Sequence, residues 1–237
     1  MKQFFTLLFL FIGLNAFSQN LQLHYDFGKA KDGDRTVDRN YFTTTFETFK
    51  VDKLGNTFLF VDLDFSRSNG NIGTAYTEIS RNWNIPFVKK LQLHTEYNGG
   101  IMVKRNNIIE ISNTYLFGFT YPVRIGNFVL PISISYRKQQ DAVEGADFQF
   151  TTSWSKTFYH GIITFSGFLD IWTQDKVLFS QEAKHDGKQF TFLTEPQLWF
   201  NLNKSLAIGG EVEISRNFFI FDDQFKAMPT VAFKWNL

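Results

Sequence analysis

The chain alternates. In FLFVDLDF (58–65), Leu59, Val61, Leu63 and Phe65 fall on one side of an extended backbone. Phe58, Phe60, Asp62 and Asp64 fall on the other, because successive strand side chains point to opposite faces. Similar stretches recur, each closed by a polar break. They predict twelve strands, at 21–29, 40–51, 57–66, 74–83, 90–99, 111–121, 127–137, 147–156, 162–173, 189–202, 205–215 and 227–237. No helix-period segment longer than about ten residues stands among them, and no linker or low-complexity tract divides them. One domain is expected.

The connections alternate as well. Long ones such as KAKDGDRTVDR, RSNGNIG, GIMVKRNNIIE, KQQDAVEGA, QDKVLFSQEAKHDGK and RNFFIFDDQFK are separated by DKLGN, NIPFVK, PVRIG, TFYHG and NK. Short periplasmic turns and longer external loops produce this rhythm in outer-membrane barrels, and an even strand count brings both termini to one side. The last strand, VAFKWNL, sets Val231, Phe233, Trp235 and Leu237 on one face and Ala232, Lys234 and Asn236 on the other. Pairing it with the first strand would close the edges that lipid does not tolerate. The expected fold is an all-β, twelve-stranded antiparallel transmembrane barrel of the outer-membrane type. Alternation alone is equally compatible with a soluble exported ligand-binding β-barrel whose carboxylates face water.

Composition narrows the choice. The opening MKQFFTLLFLFIGLNAFSQ has a positive start, a short apolar run and a small-x-small site at Ala16-Phe17-Ser18, which predicts a signal peptide over 1–18 and a mature chain over 19–237. Its apolar run is too short for a helix spanning lipid. Without Lys2 the chain holds 23 basic and 23 acidic residues, so nothing favours nucleic acid. Cysteine is absent, which excludes disulfides, thiol nucleophiles and thiolate metal sites. Thirty phenylalanines are more than a soluble β core asks for, and suit a lipid-facing band with aromatic girdles.

If the apolar faces meet lipid, the opposite faces line a lumen. Parity then turns inward Gln22, His24 and Asp26; Thr43, Thr45 and Glu47; Phe58, Phe60, Asp62 and Asp64; and Tyr76, Glu78, Ser80 and Asn82. It does the same for Gln92, His94, Glu96 and Asn98; Ser133, Ser135 and Arg137; Gln149, Thr151, Ser153 and Ser155; Asp170 and Trp172; and Glu211 and Glu213. This set is polar, acid-rich and dotted with aromatics, and the acid excess predicts a mild preference for cations. A polar interior can equally be a packed plug in a structural or adhesive barrel.

Enzymatic and metal motifs are missing. The four histidines are scattered, no H-E-x-x-H, calcium-loop or G-x-S-x-G pattern occurs, and no His-x-Ser supports an outer-membrane phospholipase. His94 and Glu96 share a face, which permits acid–base work but suits an ordinary hydrogen bond better. No cofactor is expected.

Several segments resemble a known family. NYFTTTFETFKVDKLGNTFLFVDLDF, AYTEISRNW, ITFSGFLDIW and PTVAFKWNL are similar to outer-membrane proteins grouped with the Tsx-type nucleoside channels. The resemblance implies a monomeric twelve-stranded barrel with a narrow passage for nucleosides. It also implies pore-lining roles for Glu47, Asp62, Glu78, Asp170 and Trp172. Together with the inward faces, the expected substrate-pore lining is Glu47, Phe58, Phe60, Asp62, Asp64, Glu78, Glu96, Arg137, Asp170 and Trp172. The expected partners are outer-membrane lipid, small solutes with nucleosides foremost, and the barrel-assembly machinery acting on the C-terminal strand, where Leu237 stands in place of the usual aromatic residue.

Overall fold

A computed structural model describes residues 17–28, 39–104, 107–143, 145–178, 184–218 and 224–237. Residues 1–16 of the expected signal peptide lie outside them, as do most of the first long connection and the middle of the last. The strands are β1 (Phe17–Asp26), β2 (Phe42–Asp52), β3 (Gly55–Asp64), β4 (Thr74–Asn84), β5 (Gln92–Lys104) and β6 (Asn107–Ile125). They continue with β7 (Phe128–Gln139), β8 (Asp147–Phe158), β9 (Ile163–Leu178), β10 (Lys184–Thr194 with Gln197–Asn201), β11 (Leu206–Arg216) and β12 (Lys226–Asn236).

Each strand pairs antiparallel with its neighbour in sequence, and β1 pairs with β12 from Asn20↔Asn236 to Asp26↔Thr230. The sheet is therefore closed, a twelve-stranded antiparallel barrel. Closure leaves no row of unpaired backbone groups along the seam.

The two parts of β10 are one strand. Thr194 faces Leu169 and Gln197 faces Ser166, so the ladder resumes in the same register after the gap. Pro196 causes the gap, because it has no N–H to give the ladder. Opposite it, Gly167 holds φ at 151°, and a Cβ there would come within 2.5 Å of the Glu195 carbonyl oxygen. Only glycine lets the two backbones approach this closely.

Two expected long loops turn out to be strand. β5 runs to Lys104 and β6 starts at Asn107, so most of GIMVKRNNIIE is a hairpin continuing the sheet. β9 likewise reaches Leu178 and β10 starts at Lys184 within QDKVLFSQEAKHDGK. Beyond an apolar belt both faces of a strand can be polar, so alternation vanishes while the ladder persists. β1 also begins at Phe17, four residues ahead of its expected start at 21.

Burial follows the strand period. Along β1, Asn20, Gln22, His24 and Asp26 are buried while Leu21, Leu23 and Tyr25 are exposed. The opposite of a water-soluble core holds around the wall: Phe117, Phe119, Ile134, Phe148, Phe190 and Phe233 are each at least half exposed, while Thr114, Thr120, Ser133, Ser135 and Thr191 are buried. An exposed apolar belt of this breadth is the wall of a barrel whose surroundings are hydrocarbon.

Candidate functional site: the barrel interior

The inner wall near the short-turn end is packed. Asn20 Nδ2 donates to Glu47 Oε2 at 3.0 Å, and Gln22 Nε2 donates to Asn20 Oδ1 at 2.8 Å. His24 continues the chain, its Nε2 2.8 Å from Gln22 Oε1 and its Nδ1 2.9 Å from Thr230 Oγ1. Trp199 lies beside it, wholly out of water, on a seat of Ala207 and Ala232. The Lys234 ammonium covers the indole at 3.8 Å from the ring centre, and Trp199 Nε1 donates to Gln197 Oε1 at 3.0 Å. Small residues on β11 and β12 make the room that the largest side chain on β10 fills.

Further along the axis come aromatics and acids. Phe58 and Phe60 on β3 have ring centres 6.0 Å apart, and Phe60 meets Tyr76 of β4 at 5.7 Å. On the same face of β3, Asp62 accepts a hydrogen bond from the Thr45 hydroxyl and Asp64 one from Thr43. Glu78 lies in the electrostatic field of Glu96, Asp170 and Asp62. Arg137 feels Glu96 and Asp170, and its guanidinium stands 5.5 Å over the Trp172 ring. Trp172 in turn donates to Gln174 Oε1 at 2.9 Å and meets Phe218 edge-on at 5.8 Å.

Most of the residues named from sequence thus meet. Asp62, Glu78, Glu96, Arg137, Asp170 and Trp172 form one group, joined through Tyr76 to Phe60 and Phe58. Glu47 lies toward the packed layer with Asn20 and Asp64 toward the long-loop end with Thr43, and both act on Asp62. The pair His94 and Glu96 is a structural one. His94 Nε2 lies 3.1 Å from Glu96 Oε2 and Nδ1 lies 2.8 Å from Asn82 Oδ1, so both ring nitrogens are already engaged.

Four contributors escaped the sequence reading as site residues: Trp199, Lys234, Glu195 and Arg39. Glu195 belongs to the inward row Thr191, Leu193, Glu195, Gln197 and Trp199 of β10, and counting by twos through Pro196 would have found it. Arg39 follows a connecting segment, yet its Nε reaches Asp26 Oδ2 at 2.5 Å and its Nη1 lies 3.6 Å from Glu213 Oε2. No alternation signal marks such a residue.

Among the described residues no group of three or more His, Asp or Glu side chains is arranged to hold a metal ion. The fold and its inverted patterning define a β-barrel of the outer-membrane, porin-like class. The family described as "Domain of unknown function (DUF5020)" matches residues 18–237, and the chain belongs to it. The matching model is not one described as Tsx-type, and of what that resemblance implied the barrel architecture is present. Among solved structures, the NanC porin is similar at 9% identity with a TM-score of 0.53, over 92% of this chain and 100% of that one. The KdgM porin also matches at 9% identity, with a TM-score of 0.48 over 93% and 99% of the two chains. Omp33 of Acinetobacter baumannii matches at 12% identity, with a TM-score of 0.39 over 93% and 97%. A search of curated proteins finds no match.

Proposed function

We propose that this chain resides in the bacterial outer membrane and lets small polar solutes diffuse passively along its interior, with nucleosides as the substrate class. The observation that carries this reading is the inverted wall: rings and branched chains exposed outward, hydroxyls, amides and carboxyls turned inward on almost every strand. Lys or Arg on the outer face would cost about 2–4 kcal/mol at mid-membrane, so this sorting suits lipid outside and polar guests inside. The protein needs no catalytic group for such a role and acts as a monomer inserted by the barrel-assembly machinery.

The finer assignment rests on the chain of Phe58, Phe60 and Tyr76 beside Asp62 and Glu78. A nucleobase can lie against such ring faces while carboxylates accept from ribose hydroxyls. Contacts of this kind are weak and successive, as conduction requires, since a guest must leave as readily as it enters. Uptake into proteoliposomes tests the assignment. Nucleosides should enter faster than sugars of equal size, and equal rates would remove the nucleoside reading while leaving a general channel.

A second reading has its own support. Gln22, His24, Thr120 and Trp199 are at most 2% exposed, so water does not reach them and the interior is filled at their level. A barrel closed there is structural or adhesive, with its long-loop end as the working surface. Single-channel conductance separates the two: discrete steps favour the channel, and a silent folded barrel favours the plug.

A further inference from the structure

The inner faces of β7, β8 and β9 form one patch. The ladders set Ser135 opposite Gln149 and Gln149 opposite Trp172. One row toward the short-turn end, Ser133 lies opposite Thr151 and Thr151 opposite Asp170. Arg137 belongs to the row on the other side, opposite Asp147, yet its guanidinium stands 5.5 Å from the centre of the Trp172 ring. It therefore leans across β8 to β9.

Polar atoms in this patch lack partners. Ser135, 2% exposed, has an Oγ with no hydrogen bond, and Arg137, 8% exposed, has an unpaired Nε. Asp170 Oδ1 is also out of water and unpaired. The neighbouring acids are already taken. Asp147 accepts from Thr173 Oγ1 at 2.8 Å and from Lys188 Nζ at 3.1 Å. Glu96 accepts from Asn98 Nδ2 at 3.2 Å and lies 3.1 Å from His94 Nε2. Arg137 itself donates from Nη1 to Gln139 Oε1 at 3.2 Å and makes no ion pair among the described residues. Buried polar atoms almost always find a partner, and each one left open costs stability. Three on adjoining strands mark a place where a guest supplies the missing bonds.

The open atoms also say what the guest must carry. Arg137 Nε–H only donates, Ser135 Oγ donates or accepts, and Asp170 Oδ1 accepts when ionised and can donate when protonated. An ammonium group offers donors alone and would leave the Arg137 N–H unmet. A carboxylate offers acceptors alone and would lie in the field of Asp147 and Glu96, which act on the same guanidinium. A hydroxyl both accepts and donates, so neighbouring hydroxyls suit all three atoms in either form of Asp170. We infer that Ser135, Arg137 and Asp170 form a subsite for the hydroxyls of an uncharged sugar ring, either the ribose of a nucleoside or a free sugar. The inference rests on the channel reading only in that the bore must admit a guest from one end. Arg137 is held by one long hydrogen bond and one ring contact, so an entering hydroxyl can draw it aside and reach Ser135.

Saturation-transfer NMR on the folded protein in detergent micelles tests it, with uridine, 2′,3′-dideoxyuridine and ribose as probes. The first two share a base and differ by two ring hydroxyls. Uridine should bind about fivefold or more tightly than its dideoxy analogue, the margin of one well-made hydrogen bond. Ser135→Ala and Arg137→Met should each cut that ratio to about two or less. An unheated gel checks that each barrel is folded, and Ser135→Ala, which removes a single oxygen, carries the test should Arg137→Met fail to fold. Equal binding of the two nucleosides, binding by neither, or an unchanged ratio in Ser135→Ala would overturn the subsite. Ribose binding as tightly as uridine would make free sugars the guest, removing the nucleoside reading and leaving the subsite; weaker binding of ribose would make the nucleoside its source. Binding without uptake into vesicles would remove the channel reading alone.

Discussion

Replacing Trp199 with alanine probes the packed layer directly. An indole presents about 200 Å², and at about 25 cal/mol per Å² its full burial is worth about 5 kcal/mol. The wild-type residue is at 0% exposure, so nearly all of this applies. The Lys234 ammonium at 3.8 Å adds about 0.5–2 kcal/mol, and the hydrogen bond to Gln197 about 1 kcal/mol. Against these, the space left behind is rimmed by Lys234, His24 and Gln197, and water can enter it and recover part of the loss. The expected net destabilisation is about 3 kcal/mol, at the lower end for a buried tryptophan. Urea titration of the protein in lipid vesicles, followed by the mobility of the folded band on an unheated gel, measures it. Trp199→Phe should lose about 1 kcal/mol, since it keeps most of the ring and gives up the N–H. A loss below about 1 kcal/mol for the alanine variant would mean that water already reaches the indole, and the layer would not be packed.

Three further outcomes follow from the same geometry. Ile134 lies mid-strand on the outer face at 62% exposure, so Ile134→Arg should destabilise the barrel by about 2–4 kcal/mol in vesicles; a neutral result would sink the lipid-facing assignment. At the β2–β3 turn Arg81 grips Asp52 with two bonds of 2.8 Å, and this holds the Asp52 carboxyl down from 3.8 to about 2. A lowered carboxyl contributes stability above its unfolded value and loses it as pH falls through its folded one. Asp52→Asn should therefore weaken the barrel at neutral pH, with the gap to wild type closing between about pH 4 and pH 2 in urea titrations. Gly167→Ala would drive a Cβ into the backbone at Glu195 and Pro196, so the same urea titration should show a destabilisation of more than about 1 kcal/mol; an unchanged midpoint would show that the two strands can move apart.

Strand number, closure and the inward parity of β1, β3, β5 and β7 were legible because one face of each meets grease and the other does not. Where both environments are alike, the period carries nothing. The β5–β6 and β9–β10 hairpins past the belt look like loops in NN, DK and KHDGK, and only the ladder reveals them. β10 fails for the opposite reason: Phe190, Phe192, Leu193, Leu198, Trp199 and Phe200 place apolar groups on both faces, hiding Trp199's inward position. The expected strand 189–202 runs through Pro196, yet without a clean period nothing in it marks Glu195 as inward. Arg39 depends on a tertiary contact with Asp26 that no local pattern encodes. The enrichment in acid was visible along each strand, but its gathering across the bore depends on which strands stand opposite.

The seam between β1 and β12 has a kinetic consequence. Its partners come from the two extremes of the sequence, so the cylinder stays an open, sticky ribbon until the final hairpin has arrived. A slow search for that last pairing should govern how quickly the protein matures, and anything that shields the ribbon's two free margins should hasten it.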